Sequence, residues 1–115
     1  MPTVVVIDDQ VEVAEVIAAI LSASGFEAAI ATSGRDGITL VNKTAPSAVV
    51  CDMRMPGLGG HEVTLVLKAQ PATSHIPIVL VTGNCEEEFH GMGDAFLTKP
   101  VDFAHLVQTV RQLTT

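Results

Sequence analysis

The chain has 115 residues, close to half of them apolar and 17% charged, with four Phe as the only aromatics. That length and composition fit one globular domain around an aliphatic core and exclude a disordered segment. A formal charge of −7 argues against the clustered Lys and Arg of a nucleic-acid or anionic-membrane binder and suits a pocket that attracts metal ions.

Thr3 to Asp8 (TVVVID) is a continuous β-branched run of the kind buried on both faces of a sheet. It is far shorter than the ~20 apolar residues of a membrane span, and no basic region precedes it, so neither export nor insertion is expected. From about Val11 onward Ala14, Ile17, Leu21 and Ser24 fall on one helix face, and Gly25 ends the helix. Phe26 to Ala31 (FEAAIA) reads as a second strand whose alanines suit a sheet edge. Ser33 and Asp36 form a capping box for a helix over roughly Gly34 to Lys43.

Ser47 to Asp52 (SAVVCD) is the third strand. Pro56 with Gly57, Gly59 and Gly60 makes Met53 to Gly60 irregular, and a helix over about His61 to Ala69 turns Val63, Val66 and Leu67 toward the sheet. Ile76 to Thr82 (IPIVLVT) is a fourth strand, with Pro77 near its start where no ladder donor is needed. Ala95 to Thr98 is a fifth, followed directly by Lys99 and Pro100. Phe103, Leu106, Val107, Val110 and Leu113 mark a last amphipathic helix. Strands alternating with helices in this way predict a doubly wound α/β fold on a five-stranded parallel sheet.

In such sheets ligands bind beyond the carboxyl ends of the strands, and those ends carry Asp8, Asp9, Asp52, Thr82 and Lys99. With the first and third strands as neighbours about 4.8 Å apart, the three carboxylates crowd together, and like charges so close raise a pKa unless a cation compensates. Mg²⁺ suits them, since it takes one or two carboxylates, waters and a phosphate oxygen. Lys99, roughly 10 Å away at the same strand spacing, and Thr82 offer an ammonium and a hydroxyl to the oxygens of a phosphoryl group. Gly83 leaves room for that group. A carboxylate facing Mg²⁺ is a competent nucleophile, so Asp52 is the candidate acceptor and an acyl phosphate the product.

Each residue taken singly has a plainer reading. Asp8 and Asp9 suit a helix N-terminus, Thr82 a strand, and Lys99 a solvated turn; their joint placement favours the site. Met53 and Met55 read as packing residues, because thioethers do not suit Mg²⁺. Cys51 reads as a small core hydrophobe. Cys85, 34 positions on, completes no CxxC or Cys/His pattern, a usage that suits a reducing cytoplasm.

With these residues in place the chain resembles, over residues 1–115, the receiver domains of bacterial two-component response regulators. The resemblance rests on the acidic pair in IDD, on CDMRMPGLGG, on LVTG and on FLTKP, in that order. It implies a flavodoxin-like strand order 2-1-3-4-5 and transfer of a phosphoryl group from a histidine kinase phosphohistidine, or a phosphotransfer protein, to Asp52. It implies Mg²⁺ on Asp9, Asp52 and the backbone carbonyl of Arg54, with Asp8 acting largely through water. Lys99 would pair with the phosphoryl oxygens, and the Lys99-Pro100 bond would be cis. Thr82 and Phe96 would be the switch residues, swinging toward the phosphate and inward. A downstream effector protein or domain would read the change, with no direct nucleic-acid or membrane partner, and the catalysis would extend only to the chain's own phosphorylation and dephosphorylation.

Thr82 and Lys99 lie 17 positions apart, shorter than the family pattern by about 5 residues at 3.6 per turn. A short or irregular fourth helix is therefore expected within 83 to 94. The alternative this raises is a constitutive interaction module that kept the pocket and lost the readout. An aspartate-nucleophile phosphatase would need a carboxylate two positions after the nucleophile, where Arg54 stands, and an FMN-binding relative would need a hydroxyl-rich loop where DDQVEV stands. Ending just after its last helix, the chain is expected to be a stand-alone receiver or one cut from a longer regulator.

Overall fold

A computed structural model of the chain describes residues 1–83 and 93–114. In chain order these form β1 (Thr3–Ile7), α1 (Val11–Ala23), β2 (Glu27–Ala31), α2 (Gly34–Thr44), β3 (Ala48–Asp52), α3 (Gly60–Ala69), β4 (Ile78–Thr82), β5 (Ala95–Thr98) and α4 (Phe103–Thr114). The strands make one parallel sheet in the order β2-β1-β3-β4-β5, the flavodoxin-like arrangement, and the Ala-rich β2 stands at an edge.

The period of two along each strand divides the core. Val4, Val6, Val50, Val79, Val81 and Leu97 point to one face, where Ala14, Ile17 and Leu21 of α1 meet Leu106 and Val110 of α4. Val5, Ile7, Val49, Cys51, Ile78 and Leu80 point to the other, under Val41 of α2 and Val63 and Leu67 of α3. A strand covered on both sides has no polar face, which is why β1, β3 and β4 read as unbroken apolar runs. Each such Val, Leu or Ile contributes roughly 1.5–3 kcal/mol by leaving water, and polar groups are admitted only where the strands run out.

Several local expectations need correction. The fourth strand begins at Ile78 rather than Ile76; Pro77 lies ahead of it, its carbonyl accepting from the Val49 N–H at 2.9 Å. On α3 the buried residue beside Val63 and Leu67 is Thr64, while Val66 is only half-buried. The Thr64 hydroxyl donates to the Gly60 carbonyl at 2.8 Å, so its polar atom enters the core already paired. Phe103 is 40% exposed: it shares the apolar stripe of α4, but as the first residue of that helix it lines surface grooves beside Val13, Val16 and Ile17 of α1 and Pro100 and Val101 rather than entering the core. Ser33 caps α2 by accepting from the Asp36 N–H at 3.1 Å. The expected irregular fourth helix and Cys85 fall within residues 84–92, outside the described residues. Among the described residues no helix is long and apolar enough to cross a membrane.

Candidate functional site

The site follows from where two buried strands end. β1 and β3 pair in register with Ile7 beside Cys51, so the next residue of each, Asp8 and Asp52, emerge side by side at the carboxyl edge. One carboxylate oxygen from each of Asp8, Asp9 and Asp52 lies within 4.8 Å of the others. Asp8 and Asp52 are buried, at 3% and 6% exposure, whereas Asp9 is exposed. An all-oxygen set of this kind suits a hard divalent cation.

Burial, ahead of the neighbouring charges, pushes the carboxyls of Asp8 and Asp52 above the ordinary 3.8. Crowding of like charge adds to the rise, but as the smaller cause; desolvation of an anion at the end of a fully covered strand leads. Opposing forces hold both groups in check. At Asp8 the Gln10 N–H donates to Oδ1 at 2.9 Å. At Asp52 the Lys99 ammonium stands 3.2 Å from Oδ1, and a backbone hydrogen bond from Arg54 adds to it. Arg54 itself is exposed, and it is its main chain that supplies this bond.

Lys99 arrives from two strands away, as the strand spacing predicted. β5 runs parallel to β4 with Thr98 beside Thr82, and the Lys99 N–H donates to the Thr82 carbonyl at 2.7 Å. The half-buried lysine therefore starts from a fixed point and reaches across β4 to Asp52. Thr82 ends β4 at 1% exposure, one position beyond Val81, which is the register partner of Asp52. Among the described residues, a Cβ at Gly83 would touch only Lys99 Cδ, at 4.0 Å. Phe96 is half-buried beside Leu80, packed on the cluster beneath α2 and α3. The Lys99-Pro100 bond is cis.

The glycines after Asp52 do more than turn the chain. Gly60 N–H donates to the Met53 carbonyl at 2.9 Å. A Cβ on Gly60 would lie 2.8 Å from the Asp52 carbonyl oxygen and 2.9 Å from Met53 Cα, and one on Gly59 would lie 2.7 Å from the Met53 carbonyl oxygen. The start of α3 is thus pressed against the backbone of the carboxylate-bearing strand, an approach only glycine permits. Glu62 Oε1 accepts from the Gly59 N–H at 2.9 Å, and Met53 is buried beneath. A Gly-Gly doublet immediately ahead of a helix was the signal for this contact. No sequence signal marked the Gln10 N–H on Asp8, because any residue but proline could supply it.

The response regulator receiver domain family profile matches residues 4–111. Protein PilH of Pseudomonas aeruginosa is 32% identical over 96% of this chain and 95% of its own length. Response regulator PleD of Caulobacter vibrioides is 33% identical over 96% of this chain, which spans only 26% of PleD. A putative response regulator from Chloroflexus aurantiacus superposes with a TM-score of 0.91 at 27% identity over 98% of this chain and 97% of its own. The chemotaxis protein CheY4 of Vibrio cholerae shares the fold at a TM-score of 0.89 and 22% identity, over 98% of each chain.

Proposed function

Because the chain belongs to the response regulator receiver domain family, we propose that residues 1–115 act as one phosphorylation-controlled switch in the cytoplasm, with Asp52 as the phosphoryl acceptor. The observation that carries this is a buried carboxylate held 3.2 Å from a lysine ammonium within a cluster of three carboxylates. A histidine kinase or phosphotransfer protein is the donor. One Asp52 oxygen attacks phosphorus, the new O–P bond forms, and the P–N bond of phosphohistidine breaks with its electron pair returning to the imidazole. Attack by water on the acyl phosphate later releases inorganic phosphate and restores Asp52.

Asp8, Asp9 and Asp52, with the backbone carbonyl of Arg54, would hold Mg²⁺, which when bound supplies the positive charge that offsets these carboxylates and the phosphoryl oxygens. The Lys99 ammonium exchanges its bond to Asp52 Oδ1 for one to a phosphoryl oxygen, and the Thr82 hydroxyl donates to another. Gly83 keeps the approach clear. Thr82 and Phe96 lie on adjoining strands, so movement of the first toward the phosphoryl group is available to the second as a change in packing that an effector protein or domain can read. The short interval from Thr82 to Lys99, 17 positions, favours one second reading, a constitutive interaction module with an impaired readout.

Incubation with acetyl phosphate and Mg²⁺, followed by intact-mass measurement, tests the chemistry. One phosphoryl group per chain is expected, absent in Asp52→Asn and without Mg²⁺. No modification would remove the proposal; modification that leaves effector binding unchanged would favour the second reading.

A further inference from the structure

We propose that Lys68 and Asp94 are positioning residues for Lys99: together they fix the register of β5, the edge strand that delivers the lysine to Asp52. The inference rests on the role of Lys99 proposed above. β5 has four residues and, among the described residues, pairs with β4 alone. A parallel edge strand so short has little intrinsic hold on its register. Register matters here because the strand alternates. Leu97 packs toward α1 and α4, while Phe96 packs toward α2 and α3. A slip of one residue would exchange those faces and carry Lys99 away from the end of β4.

Two ties hold the strand, one at each end. At the carboxyl end the Lys99 N–H donates to the Thr82 carbonyl at 2.7 Å. At the amino end Asp94 meets Ile78 twice. Its own N–H donates to the Ile78 carbonyl at 2.8 Å, and its side-chain Oδ2 accepts from the Ile78 N–H at 2.8 Å. The carboxylate thereby takes the place of a ladder acceptor at the first residue of β4. Gly93, at φ 68°, brings the chain into this position, where a Cβ would stand 2.9 Å from the Ile78 carbonyl oxygen.

Lys68, in the last turn of α3, fixes Asp94 in turn. Its Nζ donates to Asp94 Oδ2 at 3.0 Å, to the Ile76 carbonyl at 3.0 Å and to the Ser74 carbonyl at 3.3 Å. All three ammonium donors are engaged, and they join α3, the turn before β4 and the start of β5. The ion pair by itself is partly exposed, with side-chain exposures of 32% and 37%, and an exposed pair contributes little to stability. What the constellation supplies is direction, since one oxygen is held by two donors from different elements.

Hydrogen exchange by residue and acetyl phosphate labelling, on wild type, Asp94→Ala, Asp94→Asn and Lys68→Met, test the inference. Asp94→Ala and Lys68→Met should raise exchange of the β5 and Lys99 amides about tenfold while leaving β1 and β3 unchanged, and should slow labelling of Asp52 several-fold. Asp94→Asn keeps an oxygen that accepts from Ile78 and should recover most of both. Uniformly raised exchange across the sheet, or β5 and Lys99 amides in Asp94→Ala that exchange as in wild type, would overturn it. Wild type that takes no label sinks the proposed phosphorylation instead, and the exchange pattern still decides the register lock.

Discussion

Replacing Asp8 with Asn should stabilise the metal-free protein. Asp8 and Asp52 are both buried, and their facing oxygens lie within 4.8 Å, so the two anions repel by about 3.5 kcal/mol at an effective dielectric of about 20. Lys99, 3.2 Å from Asp52, offsets part of this. Asn fits the same space, and its Oδ1 still accepts from the Gln10 N–H. A net gain of about 1–2 kcal/mol is therefore expected near neutral pH, or several degrees in Tm. The sign with pH follows from the raised carboxyls. The folded chain binds protons more tightly than the unfolded one, so stability falls as pH climbs from the ordinary 3.8 through the raised folded values. The advantage of Asp8→Asn should shrink as pH drops back toward 3.8. Urea unfolding in EDTA measures this as a higher midpoint at unchanged slope. In Mg²⁺ at a hundred times its Kd wild type should gain about 2.7 kcal/mol and Asp8→Asn clearly less. Destabilisation in EDTA, or an undiminished gain from Mg²⁺, would refute the reasoning.

Lys99→Met removes the cation that Asp52 keeps at 3.2 Å, so the Asp52 carboxyl should rise further and labelling by acetyl phosphate should fall by at least tenfold; carboxyl NMR and intact mass check the two effects. Mg²⁺ affinity should weaken as pH falls through the raised values of Asp8 and Asp52, because bound protons compete with the ion, which calorimetric titration at several pH values would follow. Gly60→Ala should cost roughly 1–3 kcal/mol in urea unfolding, since its Cβ would meet the Asp52 carbonyl oxygen at 2.8 Å. Ala45 closes α2 with φ at 46°, so Ala45→Gly should raise the urea midpoint by the equivalent of about 0.5–1 kcal/mol and leave labelling unchanged.

The sheet was legible because strands buried on both faces have only one composition available to them, and β1, β3 and β4 show it without interruption. Asp8, Asp52, Thr82 and Lys99 were legible for the converse reason: polar residues that end such strands must meet at one edge of a parallel sheet. Periodicity served less well at the helix ends. It placed Phe103 on the correct stripe of α4, but it carries no information about how completely a neighbour covers that position, and Phe103 stays 40% exposed. On α3 it favoured Val66 over Thr64 because a hydroxyl that bonds its own helix packs like a small apolar group, which hydropathy does not register. The leading cause of the raised carboxyls was hidden too, since charge can be counted along a chain while desolvation depends on how completely β1 and β3 are covered. The Lys68–Asp94 pair joins side chains 26 positions apart, and the Ser74, Ile76 and Ile78 groups that hold them in place belong to the main chain, which leaves no trace in composition.

The identity of the nucleophile can be read directly by reducing the acyl phosphate with borohydride after reaction with a phosphohistidine donor or acetyl phosphate in Mg²⁺. Reduction converts the phosphorylated aspartate to homoserine, which peptide mass spectrometry locates. Homoserine at residue 52 alone is the predicted result. Homoserine at Asp8 or Asp9, or a labelled chain with no homoserine at all, would contradict Asp52 as the acceptor.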